Sequence, residues 1–361
     1  LQFRVQERVV TVAGNAALDP ALDTLMLPFE TAAVDWPADP RSVCFLRARA
    51  GDALPGDARA WTCEQGFRPA ADRLLDAGLQ LVPTIVHGAF DLALVLPPRQ
   101  RQESRALLAR AGGLLAQGGC LVAAQHNDDG ARSMQDDLSR LMGGQAQVLS
   151  KHHSRVAWAM RGAQGIDAAL AAAWLADDQP RPLGVDGLLR RPGVFAWDRL
   201  DPGSALLIDA LPSDLAGRAA DLGAGVGALS VELLRRCPGI VSLDLFEAEA
   251  RALELARANV EALAPDIPIG YHWHDVARGL RDRFDVIVMN PPFHAGRAPE
   301  PNLGIAFIAA AASALLPGGR LLLVANHHLP YEAALATGFA TVRRLRAADG
   351  FKVIEARKAA A

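Results

Sequence analysis

The residues best suited to chemistry in this chain cluster at Asn290-Pro291-Pro292-Phe293. The two prolines fix φ and bring no N–H, so the turn offers carbonyl acceptors without competing donors. Asn290 adds a side-chain carbonyl and Phe293 a flat apolar face. This set suits group transfer to an exocyclic amine on a planar ring. The lone pair of such an amine is delocalised into the ring and is a poor nucleophile. Two acceptors on its two hydrogens hold it, favour a tetrahedral nitrogen and stabilise the positive charge that develops during attack. No strong general base is needed, because the proton is acidic once the nitrogen is alkylated. A base stacked on Phe293 would gain about 1–3 kcal/mol, and a base in a duplex would first have to be extruded. The alternative is a Pro-rich turn that only ends a buried strand.

A second set lies upstream, at Asp221-Leu222-Gly223-Ala224-Gly225-Val226-Gly227. A Gly-rich turn between a strand and a helix lets backbone approach a ligand and adopt positive φ. A dinucleotide site is the generic reading, and a tight strand-to-helix turn with no ligand is the bland one. The acidic opening at Asp221 and the G-x-G-x-G spacing favour S-adenosylmethionine, which has no phosphate but carries an ammonium, a carboxylate and a sulfonium. The Asp221 carboxylate would attract the cationic part, and the following helix N-terminus would favour the ligand carboxylate. Gly223, Ala224, Gly225 and Gly227 would supply the close backbone. Glu247 ends the next strand, where its two oxygens can accept from two ribose hydroxyls. Asp244 competes for that role but lies inside the apolar run and reads as structural. Asp275, after a third strand, could accept from an adenine amine, with the Val276 N–H donating to a ring nitrogen; a helix cap is the competing reading of Asp275.

These residues need a sheet whose strand ends converge, and the pattern around them supplies one. Strands are expected at 218–222, 240–246, 267–274, 284–289 and 320–325, and helices at 228–236, 248–263 and 303–316, with two last strands near 339–345 and 351–356. The near-continuous apolar run of 284–289 marks a strand covered on both faces. This alternation predicts an α/β fold with a doubly wound, mostly parallel sheet.

The first half reads as a damaged copy of the second. Phe90-Asp91 through Leu96-Pro97-Pro98 matches Phe284-Asp285 through Asn290-Pro291-Pro292, and two further segments match in the same order. Leu96 replaces the acceptor Asn290, and no D-x-G-x-G-x-G precedes it, so this copy should not do the chemistry. The expected organisation is a degenerate domain over 1–176, a Pro- and Gly-rich linker over 177–193 and a catalytic domain over 194–361.

Composition sets outer bounds. The 361 residues are 51% hydrophobic with a net charge of −3, which excludes a disordered chain and a bulk polyanion binder. The four cysteines are dispersed and form no CxxC pair, so neither a disulfide framework nor a zinc site is expected. No apolar run is long enough for a membrane span, and the first residues lack the apolar core of a signal peptide, so a cytoplasmic protein is expected. Of 37 basic residues only Lys151, Lys352 and Lys358 are lysine.

DLGAGVG together with NPPFH resembles the class I methyltransferases that act on exocyclic amines. The full arrangement is similar to the tandem-domain bacterial ribosomal RNA guanine-N2 methyltransferases. Pro192-Gly193-Val194-Phe195, Leu200 to Ser204, Val324 to Asn326, Leu329-Pro330-Tyr331 and Phe351-Lys352-Val353 share in the resemblance, which is specific over about residues 185–356 and looser before them. It implies two Rossmann-like domains, the first having lost cofactor binding and helping folding and RNA binding. It implies S-adenosylmethionine as methyl donor, no metal, and a guanine N2 in ribosomal RNA, of the small-subunit (16S) type, as acceptor. Asp221, Gly223, Ala224, Gly225, Gly227, Glu247, Asp275 and Val276 fall to the cofactor, Asn290, Pro291 and Phe293 to the target amine, and Asn290 borders both. Phe195 and the 201–204 stretch, with Ser204, would line the methionine end. A ribosomal RNA or ribosomal subunit is the expected partner, a membrane is not, and the protein is expected to act as a monomer. A large-subunit RNA, a protein glutamine or DNA adenine, and a non-enzymatic RNA-binding assembly role remain alternatives.

Other residues read as follows. His272 and His274 alternate on one strand face and are taken as structural. His327 and His328 follow a buried strand and receive no role, and His294 either touches RNA phosphate or closes the turn. Arg343, Arg344, Arg346, Lys352, Arg357 and Lys358 form a late basic cluster that is either a solvated face or an RNA backbone contact. Trp36, Trp61 and Phe67 carry no assigned role.

Overall fold

A computed structural model describes residues 19–292, 294–295, 298–299 and 301–361. Phe293, expected to stack on the target ring, lies outside the described residues.

The first unit starts with α1 (Pro20–Glu30), capped by the Asp19 side chain. It continues through β1 (Val43–Leu46), β2 (Thr62–Glu64), α2 (Arg68–Asp76), β3 (Gln80–Val82), β4 (Phe90–Val95), α3 (Arg101–Leu114), β5 (Leu115–His126), α4 (Ala131–Met142), β6 (Gln147–Lys151) and β7 (Ser154–Met160), and ends with α5 (Ala168–Asp177). A two-strand hairpin follows, β8 (Arg181–Pro182) and β9 (Leu189–Arg190). The second unit runs α6 (Pro202–Ala210), β10 (Ala216–Leu222), α7 (Ala228–Arg236), β11 (Gly239–Glu247), α8 (Ala250–Glu261), β12 (Ile269–Trp273) and β13 (Phe284–Met289). It closes with the short pair β14 (His294–Ala295) and β15 (Ala298–Pro299), then α9 (Pro301–Ala314), β16 (Leu315–Asn326), α10 (Glu332–Gly338), β17 (Thr341–Ala348) and β18 (Phe351–Arg357).

The main sheets of the two units have the same plan. Among the described residues each has seven strands, in the orders β3-β2-β1-β4-β5-β7-β6 and β12-β11-β10-β13-β16-β18-β17. In each, one strand, β7 or β18, runs antiparallel to both of its neighbours, and the other pairings are parallel. Apolar side chains fill both faces of each sheet, which explains the unbroken Val-Ile-Val-Met of β13 and Leu-Ala-Leu-Val of β4.

The registers give a residue-by-residue correspondence. Leu46 pairs with Val95 and Leu222 with Met289, while Leu46 also pairs with Glu64 and Leu222 with Phe246. Leu96 therefore stands where Asn290 stands, Phe45 where Asp221 stands, and Gln65 where Glu247 stands. The first unit has lost two carboxylates, replaced by Phe45 and the uncharged Gln65, in addition to the amide replaced by Leu96. Its own Gln125 also donates to the Pro98 carbonyl at 2.8 Å and the Pro97 carbonyl at 3.4 Å, occupying the acceptors that the proline turn would offer.

The stretch expected to be a linker is ordered and docks on the second unit. Asn259 of α8 accepts from Leu189 N at 2.7 Å and donates to the carbonyls of Leu189 at 3.1 Å and Val226 at 2.9 Å. Arg190 is fully buried and holds Asp186 by both guanidinium ends. The Pro- and Gly-rich connection between the two units thus includes a tight hairpin.

Asn259 is buried, and its truncation leaves the Leu189 amide and two carbonyls without partners. Asn259→Ala should cost about 2–3 kcal/mol. Urea unfolding of the full chain checks this, and a midpoint equal to that of wild type would dissociate the hairpin from the stability of the second unit.

Candidate active site

Parallel pairing brings the ends of β10, β11 and β13 to one edge of the second sheet. The loop after β10 turns there in left-handed backbone, with φ of 73° at Gly223, 55° at Gly225 and 82° at Gly227. A Cβ at Gly227 would lie 3.2 Å from the Ala256 backbone of α8, so close helix packing requires glycine. A Cβ at Gly225 would meet nothing within 4 Å, so its surface faces open space. The loop is fixed to β11 by three successive donors: Gly223 N to Phe246 O at 2.8 Å, Ala224 N to the same oxygen at 3.1 Å, and Gly225 N to Glu247 Oε2 at 2.8 Å.

Glu247 accepts a second amide, Glu249 N, at its Oε1 at 2.8 Å. Both carboxylate oxygens face backbone donors and keep further lone pairs for hydroxyl groups. Burial pushes this carboxyl above its usual range, against the pull of those amides.

Asp221 is completely buried. Its Oδ2 accepts from Ser230 Oγ of α7 at 2.7 Å, and its Oδ1 has no partner. Desolvation, opposed by the Ser230 hydrogen bond, raises its pKa to about 7. Asp221, expected to attract the cationic part of a ligand, has its carboxylate behind the loop. The side chain points to α7, and the cleft beside the loop is lined instead by Arg190, Phe195, Ser204, Gly223 to Val226 and Asn290, among others. An orphaned acid behind the loop still acts on the cleft through its field.

Asn290 ends β13. Its Nδ2 donates to Asp201 Oδ2 at 2.8 Å and to Ser204 Oγ at 2.9 Å. Asp201 is the N-cap of α6 and accepts from Ser204 N at 2.8 Å through the same oxygen. The amide nitrogen is thus committed to α6, and among the described residues nothing donates to Asn290 Oδ1. Pro291 is buried beside it. The sequence placed Ser204 at the cofactor; its hydroxyl also orients Asn290. The local signal for this was L-D-P-G-S, an Asp cap with Pro at the first helical position.

Phe195 lines the same cleft and is 57% exposed, preceding Ala196 in left-handed backbone. Asp275 caps the single turn 276–278 by accepting from Ala277 N at 3.1 Å, and Val276 is buried. The cap reading of Asp275 is therefore realised, and it leaves further acceptor capacity at the sheet edge. His272 pairs with Asp244 at 2.7 Å and stacks on Phe246, and His274 contacts the Gly279 carbonyl at 2.7 Å. All three side chains are structural, and no cluster of metal-ligating residues exists among the described residues.

The late basic cluster is partly paired. Glu355 holds Arg320, Arg343 and Arg357, and Lys352 is buried against the Leu329 carbonyl and Glu332. Arg343, Arg344, Arg346 and Arg357 all remain exposed, and Lys352 does not. Trp61 is core, stacked in series with Trp36 and Phe29. No helix among the described residues is long and apolar enough to cross a membrane.

Comparison with known proteins bears on this geometry. A ribosomal RNA small subunit methyltransferase C of Pseudomonas aeruginosa (strain LESB58) is 31% identical over 341 residues, spanning 89% of this chain and 99% of the relative. This chain belongs to the ribosomal RNA small subunit methyltransferase C family. The Methyltransferase small domain family matches residues 187–355, the unit that carries the cleft. A solved T. thermophilus 16S rRNA N2 methyltransferase (RsmC), in complex with AdoMet and guanosine, superposes with a TM-score of 0.78 at 28% identity, covering 94% of this chain and 92% of that one. Both degenerate and intact units therefore belong to the family plan. A ribosomal RNA large subunit methyltransferase G of Alcanivorax borkumensis is 36% identical, but over 49% of this chain and 46% of the relative.

The Asp221 acid yields a pH test. Its pKa lies near 3.8 unfolded and about 7 folded, so between those values the folded state holds a proton that the unfolded state releases. Its contribution to stability is present below about pH 4 and is lost as pH rises toward 7. The stability of Asp221→Asn relative to wild type, without ligand, should rise across that window and level off above it. Thermal melts from pH 4 to 8 measure this; a pH-independent difference would refute the assignment.

Proposed function

We propose that this chain transfers a methyl group from S-adenosylmethionine to the N2 amine of a guanine in 16S ribosomal RNA. One observation carries the reading: both amide protons of Asn290 are engaged by Asp201 and Ser204, so its carbonyl is presented beside the Gly-rich turn. Family membership over nearly the whole chain favours the small-subunit substrate over the large-subunit one, whose relative matches only half. The same breadth of match, both units included, favours RNA over a protein glutamine or DNA adenine. The intact turn from Asp221 to Gly227 and the intact Asn290 argue against an RNA-binding assembly factor with a relic cofactor pocket.

The residues present fit the cofactor. Gly225 leaves room that a side chain would fill, and α7 begins at Gly227 with no side-chain cap, so its first amides face the cleft. Glu247 would take the ribose hydroxyls, Asp275 and Val276 the adenine, and Phe195 and Ser204 the methionine end. Asp221, with its Oδ1 unpartnered behind the loop, favours a cation in the cleft. Bound there, S-adenosylmethionine supplies an electrophilic methyl on a sulfonium.

Asn290 Oδ1 and the Pro291 carbonyl are assigned to the two hydrogens of the target amine. Held rigidly, they align the nitrogen lone pair and stabilise the charge that grows on it. The departing proton leaves a cationic nitrogen, so solvent suffices as its acceptor. Phe293 is assigned to stacking. The first unit, 1–176, is assigned to structural support and RNA binding, since Phe45 and Gln65 replace the two carboxylates and Leu96 the amide.

Asn290→Ala should leave S-adenosylmethionine affinity nearly intact and lower methyl transfer to 16S RNA by about 10²-fold or more. Calorimetry and incorporation of labelled methyl separate the two; unchanged turnover would remove Asn290 from the chemistry. Gly225→Asp should abolish cofactor binding by calorimetry, and normal binding would displace the pocket from this loop.

A further inference from the structure

The first unit touches the second at the backbone that follows Glu247. Phe67 and Glu249 form an isolated antiparallel bridge, in which Arg68 N donates to Ala248 O at 2.8 Å and Ala250 N to Gly66 O at 2.9 Å. The Trp273 indole N–H lies between the two chains and donates to Gly66 O at 2.9 Å and Ala248 O at 2.8 Å. The Arg68 guanidinium covers that indole at 4.9 Å, and Gly66 comes so close that a Cβ would sit 2.9 Å from Glu249 Oε1. The bridged segment, 248–250, contains the Glu249 amide that holds Glu247 Oε1.

A second contact reaches the adjacent corner. Asp72 of α2, itself 5% exposed, binds Arg278 at 3.1 Å, and Arg278 ends the turn capped by Asp275. A third holds the start of α8, where Arg251 bridges Glu103 of α3 at 2.5 Å and Asp178 at 2.8 Å. The second unit's loops after β11 and β12 are thus both fastened from outside, at the two places assigned to ribose and adenine.

We propose that the segment Gly66–Arg68, with Asp72, is a positioning element for cofactor binding: the degenerate unit sets the loop that aims the Glu247 carboxylate and steadies the Asp275 turn. This rests on the reading of Glu247 and Asp275 as the adenosine-binding residues. A loop at a strand end is ordinarily free to sample several conformations, and each hydrogen bond across the bridge removes some of them before the cofactor arrives. The relic fold thereby has a task in binding that does not require a pocket of its own. Its β2 end, which in the second unit carries Glu247, is reused to brace Glu247.

Arg68 occupies the first position of α2, where proline is well tolerated, and Phe67 has the extended backbone that a following proline requires. Arg68→Pro therefore removes the N–H to Ala248 while keeping the helix, and Arg68→Ala keeps the N–H while removing the guanidinium. Titration calorimetry of S-adenosylmethionine into the full-length proteins should show about five- to tenfold weaker binding for Arg68→Pro and a smaller change for Arg68→Ala. Combined with Glu247→Gln, Arg68→Pro should weaken binding little beyond Glu247→Gln alone, because the two act through one carboxylate. Trp273→Phe, which removes the shared indole donor, is a second route into the same cycle and should give the same non-additivity. Wild-type affinity in both Arg68→Pro and Trp273→Phe, or losses that add fully to that of Glu247→Gln, would overturn the proposal. Wild-type affinity in Glu247→Gln would instead remove the ribose assignment and this proposal with it.

Discussion

The second unit depends on the level ending of three parallel strands. Asp221, Glu247 and Asn290 are distant in sequence, yet β10 lies between β11 and β13, and the register places their last residues along one edge. Parallel strands must all present the same end to the same edge, so one crossover after another delivers a new loop to the same place. The turn and the Glu247 carboxylate are then tied by a backbone donor, and the Asn290 amide is fixed by side chains of α6 and its cap. Gly225 N on Glu247 joins the first two, and α6 brings Asp201 to the third. The chemistry follows from that edge rather than from any one loop.

The electrostatics at the edge is costly when nothing is bound. Two acids, Asp221 and Glu247, are both desolvated, and the Glu247 charge makes Asp221 harder still to ionise. Backbone amides offset part of this for Glu247, but Asp221 has one oxygen without a donor. A site of this kind is stabilised by a cationic ligand more than by further packing, because field and desolvation relax together when positive charge enters. The same balance accounts for the first unit. Phe45 in place of Asp221 exchanges an expensive buried acid for an apolar side chain, and stability gained there carries no functional cost.

Much of this was legible in the sequence because it depended on short-range rules. The Gly spacing, the proline turn and the apolar runs fixed strand ends to within a few residues, and helix 228–236 and strand 284–289 coincide with α7 and β13. Leu96 against Asn290 was readable because both sit before paired prolines. Phe45 against Asp221 and Gln65 against Glu247 were not, since no motif surrounds them and only register aligns them. The direction of the Asp221 side chain, the pairing of Arg343 with Glu355 and the burial of Lys352 depend on which elements face one another, and no local motif records that. The order within the 181–190 stretch was not legible for a related reason: its Pro and Gly content marks a connection, and Asn259, which docks it on the second unit, lies seventy residues on.

Duplication explains why so inactive a domain is built with such care. A unit folded to the same plan presents the end of its second strand at the same height as the active unit does, so an edge-to-edge meeting places β2's end against β11's end. The bridge at Phe67 and Glu249 is a consequence of that shared geometry, and needs only a close glycine at Gly66 and a shared indole at Trp273. Once the first pocket is closed by Phe45, Leu96 and Gln125, its loops are released from holding a ligand and can hold the neighbour's loops instead. Loss of binding in one copy and firmer preorganisation in the other are then two outcomes of one architecture.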